Sequence, residues 1–243
     1  MNVLSLFSGI GGLELGLERA GMTVVGQVEI DPFARAVLAT HWPEVPRHDD
    51  VRTAIPWWSS QPRPSVDVVA GGFPCQPFSA AGRRRGVADE RWGWPWMADV
   101  VRAVRPRVVL VENVPRLLAD HVAFGWVLAD LAALGFDAQW GVLSACAVGA
   151  PHTRDRLFLV AHTHRVDGRP RVGTRPGQPV PRGHGGTGPW ADPVDGLLEA
   201  ARRSGRVADG VPDRLEPARV RALGNAVVPQ VAEHLGRLIL ESR

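Results

Sequence analysis

The chain has 243 residues, 45% apolar and 22% charged, enough for one domain with a full core or one domain with a small appendage, and too few for two large domains. Its 21 prolines and 27 glycines imply extensive loop, and its net charge of +3 comes from a basic set that is all arginine. The two cysteines, Cys75 and Cys146, lack a Cys-x-x-Cys pairing or a His-rich partner run, which speaks against zinc; no secretory h-region follows Met1 and no apolar run reaches spanning length, so a cytoplasmic, reducing location is expected.

In chain order, the first half alternates β-branched runs with helical patterns. Strands are expected at Val3 to Ser8, Thr23 to Glu29, Val66 to Ala70 and Val108 to Glu112, and helices at Gly12 to Ala20, Pro32 to Thr40 and Pro95 to Val104. That alternation specifies a parallel sheet flanked by helices. Trp140 to Ser144 and Leu157 to Ala161 read as an antiparallel pair at one sheet edge. After His162 the composition turns to Gly, Pro and Arg without hydrophobic periodicity, either a flexible linker or a basic segment that orders against phosphates. A short amphipathic helix is expected from Asp192 to Arg203. Gly224-Asn225 then reads as a turn before a final helix opening at Pro229, with Val228, Val231, Leu235 and Leu238 on its apolar face.

The chemistry gathers where strands end. "LSLFSGIGGLELGLERAG" runs a strand into a turn at Gly9, Gly11 and Gly12 and then a helix, so a ligand can approach backbone at a helix N-terminus. Glu14 stands where a dinucleotide fingerprint needs its third glycine, which favours an uncharged or carboxylate-bearing nucleoside over a pyrophosphate. Glu29 closes the second strand, where an acid can bind ribose hydroxyls, and Asp50 in "RHDDV" can reach an adenine amino group. Cys75, in "GGFPCQPFSAAGRRRG", sits between prolines on a loop at the carboxyl end of a strand, a place for a nucleophile more than for a packed thiol. "VVLVENVP" brings Glu112 to the same edge, where partial desolvation raises a carboxyl pKa. In "GAPHTRDRLFLVA", Arg154 and Arg156 are spaced so that both can point the same way.

Six motifs in this order, "LFSGIGG", "EID", "GGFPCQPFSAAG", "ENV", "GAPHTRDR" and "ALGNAVVP", resemble those of the DNA cytosine-5 methyltransferases that use S-adenosylmethionine, a likeness covering residues 3–162 and 218–240. The resemblance implies an α/β, Rossmann-like methyltransferase sheet with a small, loop-rich target-recognition region. It implies three parts: a catalytic and cofactor-binding domain over 1–162, target recognition over 163–217, and a segment over 218–243 that returns to the first domain. It implies that Cys75 adds to carbon 6 of a cytosine flipped out of the duplex, that Glu112 engages ring nitrogen 3, and that Arg154 and Arg156 position the base. For the cofactor it implies Phe7 on adenine, backbone contacts over Ser8, Gly9, Gly11 and Gly12, Glu29 on the ribose, Asp50 on the adenine amine, and Pro74 and Asn225 as further contacts. Arg83, Arg84 and Arg85 are expected on DNA phosphates.

The partners so implied are double-stranded DNA and a cognate restriction endonuclease, with the protein acting as a monomer without a metal. His152 stands where the family commonly has glutamine, and "DERWGWPW" departs from its Asp-x-Arg-Gly pattern. Trp92, Trp94 and Trp96 there read as packing residues or as DNA contacts. The short recognition region leaves two alternatives open: a tRNA cytosine-5 methyltransferase, and a catalytically inactive DNA-binding relative.

Overall fold

The computed structural model describes residues 1–75, 92–163 and 217–242. Among them seven strands form one sheet in the order β3-β2-β1-β4-β5-β7-β6. β1 (Asn2–Leu6), β2 (Thr23–Val28), β3 (Arg47–His48), β4 (Val68–Gly71) and β5 (Val108–Asn113) pair in parallel. β7 (Arg156–Thr163) lies antiparallel to β5 on one side and to the edge strand β6 (Phe136–Leu143) on the other. The expected antiparallel edge pair is therefore present, with both strands longer than their apolar cores.

From β1 the chain first builds outward through β2 and β3, then returns to add β4 on the opposite side of β1. The strand order thus reverses between β1 and β4, which opens a crevice beyond their carboxyl ends. β7 enters the sheet reversed, so its first residues arrive at the edge where β5 finishes: Asn113 pairs with Leu157 and Glu112 with Phe158.

Side-chain alternation divides the core between the two faces. Val109 and Val111 pack on one face with Leu4, Leu6, α4 (Trp94–Val104) and α5 (His121–Ala133). Val108 and Leu110 pack on the other with Val3, α1 (Gly12–Arg19) and α7 (Pro229–Glu241). All six residues of β5 are buried, as a central strand covered by helices on both sides requires. Each fully buried Leu or Val contributes about 1.5–3 kcal/mol relative to exposure.

The helices start where local chemistry allows. Asp31 caps α2 (Pro32–His41) by accepting hydrogen bonds from the Phe33 and Ala34 amides at 2.8 and 3.2 Å, with Pro32 in the first turn. Asp120 caps α5 by accepting from the Ala123 amide at 3.0 Å. α7 opens on Pro229, as expected.

Several boundaries differ from the sequence reading for identifiable reasons. β1 stops at Leu6 because Phe7 turns into the left-handed region at φ 54°. Gly224 and Asn225 do not form a turn; they are the last residues of α6 (Pro217–Asn225), and the break falls over 226–228. On α7 the buried row is Val231, Ala232, Leu235 and Ile239, whereas Leu238 is exposed. Three helices, α3 (Ala54–Ser59), α5 and α6, have no counterpart in the sequence reading. α5 is apolar on nearly every side, so no stripe marks it: Ala123, Val127 and Leu131 are buried while Val122 and Trp126 are exposed. The helix expected from Asp192 to Arg203 lies outside the described residues, as does most of 163–217. No helix among the described residues is long and apolar enough to cross a membrane.

Candidate active site

Four strand ends converge on the crevice. After β1, the Ser8 amide still donates to the Val28 carbonyl at 3.1 Å, and the Gly11 amide closes a turn onto the Ser8 carbonyl at 3.1 Å. Gly9 and Gly11 hold positive φ of 57° and 88°. Phe7 at positive φ is unusual for a bulky side chain, and such strain, of order 1–3 kcal/mol, concentrates at functional sites. Gly12 is held by a close approach: a Cβ there would stand 2.2 Å from the Val227 carbonyl oxygen, so the final segment docks directly onto the glycine turn.

Glu29 is nearly buried and accepts from the Gly9 amide through Oε2 at 2.7 Å and from the Asp31 amide through Oε1 at 2.8 Å. It therefore fixes the first glycine of the turn, and each oxygen keeps a further lone pair for a ligand. Asp50 caps a short 3-10 turn, Val51–Thr53, and its carboxylate forms a two-pronged pair with Arg52, closest approach 2.6 Å. That guanidinium holds the Asp50 carboxyl below its ordinary range. Arg52 in turn lies 5.9 Å from the centroid of the Trp96 ring. Glu14, in the first turn of α1, is fully buried with neither carboxyl oxygen hydrogen-bonded; burial pushes its pKa up, opposed by the facing Ser5 and Ser8 hydroxyls.

On the other side of the crevice, Glu112 is 8% exposed and its Oε1 lies 3.1 Å from Nε of Arg156. Burial raises its pKa, while the charges of Arg156 and Arg154 pull it down without reversing the shift. Space for this carboxyl comes from Gly72: a Cβ there would stand 2.6 Å from Glu112 Oε2. Asn113 holds the neighbouring loop, donating from Nδ2 to the Phe73 carbonyl at 3.0 Å and accepting from the Val114 amide at 2.9 Å. That tie, together with a Cys75–Trp92 bridge and a 3.1 Å bond from the Gly93 amide to the Pro74 carbonyl, holds the described residues 73–75 that end in Cys75.

Cys75 is partly buried, and burial together with the Asp120 charge pushes its thiol up to about 11. It is thus a protonated thiol at neutral pH in the free protein, not a standing thiolate. The two arginines do not point the same way: Arg156 pairs with Glu112, whereas Arg154, at φ 37°, sends Nη2 to the carbonyls of Gly224, at 2.9 Å, and Ala226. Trp92 and Trp94 are buried, with Trp94 Nε1 donating to Asp130 at 2.8 Å, so both are packing residues; Trp96 is only partly buried. Arg83, Arg84 and Arg85 lie outside the described residues.

The crevice thus brings Phe7 to Gly12 and Glu29 to one side of the switch point and Pro74, Cys75, Glu112 and Arg156 to the other. Asn225 ends α6 beside the carbonyls that Arg154 grips. The sequence reading placed Asn113 at this edge without a role and gave none to Gly72 or Asp120. The double glycine before Phe73 was the available signal for Gly72, while the other two act through contacts that no local pattern encodes.

Residues 1–176 match the family model described as C-5 cytosine-specific DNA methylase. Type II methyltransferase M2.BsuMI of Bacillus subtilis is 38% identical over 168 residues, 66% of this chain and 42% of that protein. Type II methyltransferase M.NgoBI of Neisseria gonorrhoeae is 35% identical over 166 residues, 67% of this chain and 51% of that one. Among solved structures, an E. coli protein described as a DNA modification methyltransferase encoded within a prophage superposes with a TM-score of 0.57 at 29% identity, covering 67% of this chain and 47% of that one. The S. pombe Dnmt2 methyltransferase shares the fold, with a TM-score of 0.56 at 24% identity over 67% of this chain and 51% of that one. The chain spans about half, or less, of the length of the relatives it matches.

Proposed function

Since the chain belongs to the C-5 cytosine-specific DNA methylase family, we propose that it methylates carbon 5 of a cytosine flipped out of duplex DNA, using S-adenosyl-L-methionine and a covalent adduct between Cys75 and carbon 6. The observation that carries this reading is the Glu112–Arg156 pair: a carboxyl with a raised pKa, held at 3.1 Å by a guanidinium, at the sheet edge next to the Cys75 loop. A non-catalytic DNA-binding module has no use for that arrangement.

The glycine turn suits the cofactor. Gly9 combines positive φ with open space where a side chain would stand, and the Glu29 carboxylate borders it. We assign Phe7, Ser8, Gly9, Gly11, Gly12, Glu29, Asp50, Pro74 and Asn225 to its binding. When bound, S-adenosylmethionine would supply the methyl group that carbon 5 accepts, its sulfonium becoming a neutral thioether as the sulfur–methyl bond breaks.

In the proposed mechanism the Cys75 sulfur gives its proton to solvent as it bonds to carbon 6. Glu112, its pKa raised by burial, donates a proton to ring nitrogen 3, which takes up the displaced electron density. Arg156 keeps the carboxyl oriented and balances the charge left on it. Electron density then sits at carbon 5, which gains the methyl group. Solvent removes the carbon 5 proton, the sulfur–carbon 6 bond breaks with the sulfur recovering a proton from solvent, and nitrogen 3 returns its proton to Glu112. The desolvation that raises the Cys75 pKa also leaves the thiolate poorly hydrated, so attack and deprotonation must be closely coupled.

Residues 1–162 with 218–243 are assigned the cofactor and catalytic work, and 163–217 the reading of the target, with Arg83, Arg84 and Arg85 on phosphates. The names of the curated relatives suggest a place in a type II system, with a restriction endonuclease as functional partner and the methyltransferase itself a cytoplasmic monomer. The test is transfer from labelled cofactor to unmethylated duplex DNA, to the same duplex bearing 5-fluorocytosine, and to tRNA. Transfer to the duplex, its loss in Cys75→Ser, and a denaturant-resistant complex with the fluorinated duplex are expected. Transfer to tRNA alone, or DNA binding without any transfer, overturns the proposal.

A further inference from the structure

Arg154 is joined not to Glu112 but to the far end of the chain. Its Nη2 donates to the Gly224 carbonyl at 2.9 Å and to the Ala226 carbonyl, seventy and seventy-two residues away. These carbonyls flank Asn225, at the break between α6 and α7 where no helical amide is available to satisfy them. Its backbone sits at φ 37°, a strained conformation for arginine, and its Nε is buried without a hydrogen-bond partner. A residue that carries both costs is held there by what its head group does. Two residues on, Arg156 pairs with Glu112, so one short loop grips both the carboxyl at the base side of the crevice and the segment that closes the cofactor side.

We infer that Arg154 is a positioning residue that clamps the returning segment, and with it Asn225, onto the catalytic edge. It therefore governs cofactor affinity and does not contact the target base. The clamp acts alongside the close approach of the Val227 carbonyl to Gly12, so the same short segment is fixed from two sides. This rests on the assignment of Asn225 to the cofactor, and the experiment separates the two.

Deuterium uptake over residues 222–230 is measured in the full chain without ligand, and S-adenosylmethionine affinity by calorimetry without DNA, for the parent, Arg154→Ala, Arg154→Lys, Asn225→Ala and the Arg154→Ala/Asn225→Ala pair. Both Arg154 hydrogen bonds leave from one nitrogen, so lysine should restore part of what alanine loses. Arg154→Ala is expected to speed exchange in that segment and to weaken cofactor binding about tenfold, the scale of one charge-assisted hydrogen bond. Added to Asn225→Ala it should cost less than a further twofold. In turnover the loss should fall on the cofactor KM more than on kcat. Unchanged exchange over 222–230 overturns the clamp. Faster exchange with unchanged cofactor affinity keeps the clamp but overturns its role toward the cofactor. Absence of cofactor binding by the parent refutes the cofactor assignment and leaves the exchange result to decide the clamp.

Discussion

Replacing Gly72 with alanine puts a methyl group where the Glu112 carboxyl now lies. The new Cβ would stand 2.6 Å from Oε2, whereas ordinary contact begins at 3.4 Å, so the carboxyl must withdraw by about 0.8 Å. Gly72 does not occupy the left-handed region, so the backbone accepts alanine without strain, and the atom that must yield is the tip of a side chain. Stability should therefore change little, by less than about 1 kcal/mol or a few degrees in Tm. Activity should not be spared, because a displacement approaching 1 Å at a reacting group costs up to about 100-fold; a fall in kcat of roughly 30- to 100-fold is expected. The comparison variant is Gly12→Ala, whose Cβ would meet the Val227 backbone oxygen at 2.2 Å and must push the final segment away, lowering both Tm and cofactor affinity. Labelled methyl transfer and thermal melting of the two variants side by side make the assay. If Gly72→Ala keeps more than half of the parental rate, or melts as early as Gly12→Ala, the position of Glu112 does not limit the reaction and the reasoning fails.

Glu14 has a folded pKa raised above the ordinary 4.5, chiefly by burial, so the native state holds its proton more tightly than the unfolded chain does. Stability from this group is full below the ordinary value and is lost as pH rises from there through the folded pKa. Glu14→Gln should match the parent near pH 4 and exceed it by about 1–3 kcal/mol at pH 8 in urea denaturation; parallel pH profiles would refute this. Asp120→Asn keeps an acceptor for the Ala123 amide but removes the charge that helps push the Cys75 thiol up to about 11. In a Cys146→Ser background, alkylation of Cys75 should rise with pH toward a midpoint near 11 in the parent and toward a lower one in Asp120→Asn, and an unmoved midpoint would show that burial acts alone.

The centre of the sheet was legible because β5 is buried on both faces and its run Val108 to Glu112 could be little else between proline punctuation. The strand ends were legible for the same reason, and with them the residues gathered at the crevice. α5 was not, since a helix apolar all round carries no 3.6-residue stripe. The partners of the arginines were also hidden. Spacing of two predicted that Arg154 and Arg156 share a direction, which holds inside a strand, but Arg154 precedes β7 at positive φ and its head group turns to carbonyls seventy residues away. The thiol of Cys75 is pushed up by burial and, after it, by the charge of Asp120, which lies 45 positions along the chain. What the sequence conceals here is long-range pairing, and the helix and strand periods carry no information about it.

α1 and α7 share one apolar cluster, Leu13 and Leu17 from the first with Val231, Leu235 and Ile239 from the second, yet about two hundred residues separate them. On the ribosome, α1 emerges before α7 and remains without that partner until α7 has been synthesised. The glycine turn likewise lacks the Val227 carbonyl that backs it until then. A growing chain can lay down β1, β2 and β4 well before the wall behind their crevice arrives with α7. Folding of the glycine-turn side is therefore tied to the synthesis of α7, and a polypeptide stalled after β7 would expose the apolar face of α1 to whatever chaperone or neighbour meets it first.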